Sequence, residues 1–112
     1  TSRPRPRVTR PKLEPQVIGI LRRAPNAPDL SERELDEIQD RHVAYQLQQY
    51  VWGKLIRGGP FSDQPDEALR GLNLYTTTLE EARGLAAADP AVVAGRLAVD
   101  VFTWWTAPRE RA

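Results

Sequence analysis

His42 is the only histidine in the chain, and an imidazole with a reference pKa of about 6.5 can give or take a proton near neutral pH. It sits among Leu35, Ile38, Tyr45 and Gln49, which recur with it at helical spacing, so the sequence places it on the inward face of a helix. A lone histidine there is either a satisfied structural group or a general acid–base. The second role asks for a partner that fixes its other ring nitrogen. Asp89 is one candidate. An aspartate directly before Pro90 is also an ideal helix N-cap with proline at the first helical position. Local structure alone therefore accounts for Asp89, and chemistry enters only if its carboxylate also reaches His42.

Other residues suit the walls of a ligand site. Gly58-Gly59-Pro60 allows close backbone approach to a ligand, and is equally expected at a sharp turn. Tyr45 shares the stripe of His42. Trp52, Trp104 and Trp105 are core or interface residues in the plain reading, and Trp104 a wall that stacks on a planar ligand in the sharper one. Ser62 and Asp63 follow the glycines as turn residues. There is no cysteine, which removes disulfides, thiolate metal sites and thiol nucleophiles. With one histidine and no clustered carboxylates, no metal site is expected. Nucleophile-elbow, zincin and dinucleotide fingerprints are absent, and no cofactor is expected.

The elements that must position these residues are legible in outline. Val17 to Leu21 reads as a strand, and Ala24 to Leu30 as a loop. Ser31 with Glu34 forms a capping box that opens a helix ending near Gly53. Lys54 to Arg57 is a second strand, ended by the glycines, with a polar turn over residues 62–67. Leu69 to Thr76 is a third strand, with Leu72 and Leu74 on one face. Thr78 and Glu81 form a second capping box for a helix through Ala88, and Asp89-Pro90 starts one further turn. Leu97 to Trp105 alternates as a fourth strand, with Leu97, Val99 and Val101 opposite Ala98, Phe102 and Trp104. The order β-α-β-β-α-β is the split, ferredoxin-like α+β arrangement: a four-stranded antiparallel sheet with helices on one face.

Two helices leave one sheet face bare, yet the fourth strand is apolar on both. A homodimer of the α+β barrel type, or a higher oligomer, is expected. The 112 residues divide into an arm (1–15), one domain (16–108) and a short tail (109–112). Arg3, Arg5, Arg7, Arg10 and Lys12 stand in the arm against Glu14 alone, so the net charge of +1 hides an acidic body. Nucleic-acid binding is thus not expected of the body. The proline-rich arm reads as an extended leader, as an arm lying along a protein partner, or as a tether for nucleic acid or another acidic surface. With no long apolar run and no secretory core, a cytoplasmic protein without membrane contact is expected.

Taken together, Arg41-His42-Val43-Ala44-Tyr45, the run Gly53 to Phe61, Thr78 to Ala82, and Ala88 to Gly95 resemble the YCII-related family over roughly residues 16–106. The resemblance implies a ferredoxin-like fold, oligomers, and a histidine–aspartate pair that falls here on His42 and Asp89. It also implies lyase or isomerase chemistry, since a relative eliminates chloride from a hydroxylated aromatic ring. Many members carry an arginine three residues before the histidine, where this chain has Gln39. The expected function is a small acid–base enzyme acting on a compact, cyclic or aromatic molecule; the alternative is a non-catalytic ligand-binding or assembly subunit docked through its arm.

Overall fold

The computed structural model describes residues 11–108. The first ten residues of the expected arm and the tail 109–112 lie outside them. The elements follow the order β1 (Glu14–Arg23), α1 (Glu32–Val51), β2 (Leu55–Pro60), β3 (Leu69–Tyr75), α2 (Leu79–Ala87), α3 (Pro90–Val93) and β4 (Leu97–Thr106). One antiparallel sheet runs in the order β2-β3-β1-β4, so the two central strands are the first and third, as the ferredoxin-like arrangement requires.

Strand β1 begins earlier than its apolar run. Glu14 pairs with Thr106 and Pro15 with Trp105, whereas pairing with β3 starts only at Val17 opposite Tyr75. Pro15 therefore has a neighbour on one side alone, a position where its missing N–H costs no ladder bond. The ten-residue β1–β4 ribbon is long because β4 alternates without interruption to Thr106.

Alternation sorts the sheet into two faces. Val17, Gly19 and Leu21 of β1 share a face with Tyr75 and Asn73 of β3 and with Val99 and Val101 of β4. Here Leu55, Tyr75 and Val101 meet Ala82 and Ala86 of α2 in the core cluster. Alanines at those two positions let the helix lie close to the sheet. A Cβ on Gly19 would come within 3.0 Å of Val99 and 3.2 Å of the Tyr75 ring, so glycine is what admits that tyrosine.

Helix α1 starts as expected. Ser31 Oγ accepts from Glu34 N, and the Glu34 carboxylate returns a bond to the cap. It stops at Trp52, followed by Gly53 at φ +72°, a left-handed residue after a helix end that glycine adopts without strain. Helix α2 departs from expectation in one detail. Thr78 caps Glu81 N, but the Glu81 carboxylate forms an ion pair with Lys54 at 2.6 Å instead of closing the box. An opposite charge across the α2–β2 junction outcompetes a backbone amide.

A second correction concerns Gly58-Gly59-Pro60. These residues do not end β2; they are its second half, opposite Asn73, Leu72 and Gly71. The strands approach so closely that a Cβ on Gly71 would lie 2.5 Å from the Gly59 carbonyl oxygen. Pro60 is tolerated because β2 is an edge strand.

Among the described residues, no helix covers the other sheet face. Ile18, flanked by Leu74 and Phe102, is buried, but Phe102 is 43% and Trp104 50% exposed. Among the described residues, no helix is long and apolar enough to cross a membrane.

Candidate active site

Helix α1 leans on α3 and the edge of β2 rather than lying flat on the sheet, and an open cleft of about 690 Å³ separates it from the strands. His42 lines this cleft. Its Nδ1 lies 2.7 Å from Asp89 Oδ2, with the two side chains 14% and 5% exposed. The other carboxylate oxygen, Oδ1, accepts the Ala91 backbone N–H at 2.8 Å. Asp89 thus caps α3 and holds the imidazole at once, one oxygen for each. The cap and the contact with His42 are made by the same side chain.

A carboxylate only accepts, so Nδ1 must donate, which leaves the Nε2 lone pair available in the neutral ring. No described residue bonds to Nε2. The geometry therefore presents one basic nitrogen, of fixed tautomer, beside a hollow large enough for a small organic molecule.

Opposite His42 the cleft is walled by Gly58, Gly59 and Pro60. Gly58, inside β2, leaves room for two side-chain amides. A Cβ there would meet Asn73 Oδ1 at 2.5 Å and Gln46 Nε2 at 2.6 Å. Those two amides are hydrogen-bonded to each other, Gln46 Nε2 donating to Asn73 Oδ1, and both line the cleft. Asn73 Nδ2 in turn lies 3.3 Å from the Tyr75 hydroxyl. The Tyr50 hydroxyl donates to the Gly58 carbonyl at 3.0 Å, tying α1 to the strand across the cleft.

Tyr45 and Trp104 are placed elsewhere. The Tyr45 hydroxyl donates to Leu85 O at 2.7 Å and its ring packs edge-on against Trp52, so it locks α1 to α2. Trp104 belongs to the bare sheet face, opposite Gln16. Neither lines the cleft; nor do Ser62 and Asp63. What residue types alone did not mark is the contribution of Gln46, Asn73, Tyr50 and Phe61. Gln46 carried a usable signal: it stands four residues after His42, hence on the same helix face.

Two tyrosines near the pair are electrostatically constrained. Burial raises the pKa of Tyr75 above its ordinary 10.0; Asp89's negative charge adds to this, and the Asn73 hydrogen bond opposes it. Tyr45 is raised by burial first, then by Asp89 and Tyr75. The folded state holds these protons while an unfolded tyrosine releases its own from about pH 10. The associated stability is complete below that pH and is lost as pH rises through the folded values. Melting temperature is therefore expected to fall as the pH rises above about 10, and to fall less in Tyr75→Phe. Identical pH slopes in the two proteins would contradict this account.

The sheet order and one-sided helices define a ferredoxin-like α+β domain. The chain belongs to the YCII-related family, whose domain model matches residues 19–105. No curated protein matches it. Among solved structures it is similar to 5-chloro-2-hydroxyhydroquinone dehydrochlorinase (TftG) from Burkholderia phenoliruptrix AC1100, in complex with 2,5-dihydroxybenzoquinone. The two share 20% identity with a TM-score of 0.55, over 79% of this chain and 92% of that one.

Proposed function

We propose that this protein is an acid–base enzyme of the lyase or isomerase type, acting on a small cyclic or aromatic molecule held in the α1–sheet cleft. His42 Nε2 takes a proton from a carbon or hydroxyl of the substrate and returns it, and Asp89 steadies the imidazolium that forms. The observation that carries this reading is the 2.7 Å contact between Nδ1 and Oδ2 at the wall of an open cleft. The fold shared with a dehydrochlorinase that binds a dihydroxyquinone supports a small oxygenated ring as the guest. Gly58, Gly59 and Pro60 form the wall against which such a ring would lie.

Solvent-deuterium exchange at the ring carbons of 2,5-dihydroxybenzoquinone tests the reading directly, because it needs only proton transfer. The protein is expected to accelerate exchange, and His42→Gln to abolish the acceleration. Equal exchange in both proteins would leave a non-catalytic binding or assembly subunit as the better description.

The bare sheet face carries a second part of the proposal. Phe102 and Trp104, with half-buried Leu72, Leu74 and Ile20 beside them, form an apolar surface that a second copy would cover through the same patch on both partners. Light scattering is expected to give twice the 12.6 kDa chain mass, and Phe102→Ser with Trp104→Ser to return the monomer. A monomeric native protein would refute this assembly.

A further inference from the structure

Strands β1, β3 and β4 bring three arginines to the same end of the sheet. Arg23 is the last residue of β1 and pairs with Leu97 at the start of β4. Its backbone N–H also bonds to Ala68 O, two residues before Arg70. Arg96 immediately precedes Leu97. In an antiparallel sheet the C-terminal end of β1 and the N-terminal ends of β3 and β4 coincide, so the three residues are neighbours in space although distant in sequence.

All three line the cleft that holds His42, and among the described residues lining it Asp36 is the only carboxylate. The body of this protein is net acidic, so a cationic concentration here runs against its overall charge. Among the described residues, none of the three guanidinium groups forms an ion pair. Arg96 donates to Pro28 O at 3.0 Å. Its backbone N–H bonds to Ala91 O, and Ala91 N is the group capped by Asp89. The arginine cluster and the histidine–aspartate pair are therefore joined through a single residue.

Apolar groups complete the cleft: Leu35, Val43, Leu47 and Phe61, of which Leu47 is 59% exposed. A guanidinium fork matches the two oxygens of an oxyanion, and these side chains match a compact hydrocarbon body. We infer that the ligand of this cleft is a small ring bearing an oxyanion, with its charged group seated among Arg23, Arg70 and Arg96 and its ring between α1 and β2. The inference deepens the functional reading above by naming the substrate class of the same site. Fixing the anion at the arginine end would hold the ring in one orientation before His42, which is how a remote charge aids a proton transfer.

The lone imidazole makes the test specific, since every histidine signal in a nitrogen-15 spectrum of the full chain belongs to residue 42. The protein is titrated with benzoate, phenyl phosphate and the neutral, similarly shaped benzamide. At least one anion is expected to shift the His42 resonances saturably, about tenfold more tightly than benzamide. The stronger of the two anions tells carboxylate from phosphate. Arg23 and Arg70 are exposed, so the double variant Arg23→Gln, Arg70→Gln should fold, with circular dichroism as the check. It should lose about tenfold in anion affinity and leave benzamide unchanged. Equal affinity for benzamide and the anions, no saturable response to either anion, or undiminished anion binding in the double variant would overturn the inference. These readouts concern binding alone, so loss of the anion site with retained deuterium exchange would remove this inference and spare the acid–base reading. The reverse outcome would do the opposite.

Discussion

Replacing His42 with glutamine is expected to lower turnover of a true substrate by about 10²–10⁴-fold, the usual contribution of one positioned acid–base group, while the fold persists. Glutamine is the informative replacement. Its amide can still donate to Asp89 and so satisfies that buried carboxylate, but it cannot act as a base near neutral pH. His42→Ala would leave the Asp89 Oδ2 without its partner, adding a stability loss that confuses the result. The measurement is kcat and thermal stability on the same preparation. Turnover within a few-fold of the native protein, in a variant that melts normally, would end the case for His42 as the proton carrier.

The second large effect belongs to Asp89, where two substitutions separate its two tasks. Asp89→Asn keeps an oxygen to accept from Ala91 N, so α3 should remain capped. Its amide nitrogen would now donate to Nδ1, which forces the ring proton onto Nε2 and turns that nitrogen from an acceptor into a donor. Turnover is expected to fall by about 10²–10⁴-fold with little change in melting. Asp89→Ala loses both bonds and should cost about 1–2 kcal/mol of stability as well. Asp89 acts through the histidine, so the deciding readout is the His42 tautomer in the nitrogen-15 spectrum. Asp89→Asn with a native tautomer and native turnover would show that the carboxylate only caps a helix.

Much of this architecture is written locally. The Ser31–Glu34 box, the stop at Gly53 and the turn opened by Asp89-Pro90 each follow from a few adjacent residues, and the structure has all three. What the sequence obscures is decided across the sheet. Gly58-Gly59-Pro60 has the composition of a turn, yet β3 supplies Gly71 where its backbone closes upon Gly59, and the segment pairs as strand. Pro15 enters β1 because β4 continues far enough to meet it. Glu81 leaves its cap for Lys54, a residue 27 positions away.

The site divides in the same manner. His42 was marked by its chemistry, and Asp89 by its place before a proline; their pairing was implied by the family resemblance rather than by spacing. Tyr45 lies on the right helix face but too near α2, where a backbone carbonyl claims its hydroxyl. Gln46, Asn73 and the arginine cluster carry no motif. Each is an ordinary polar residue until the strand order brings β1, β3 and β4 to one end and α1 stands off from them.

The placement of the tryptophans has a practical sequel. Trp52 ends α1, Trp104 lies on the bare face and Trp105 pairs with Pro15; all three are at least half exposed, and none borders the cleft. Intrinsic fluorescence should consequently be blind to a guest beside His42, yet blue-shift when two copies associate. Optical and magnetic signals from the same dye-free sample would then monitor separate events, self-association by emission and occupancy by the imidazole.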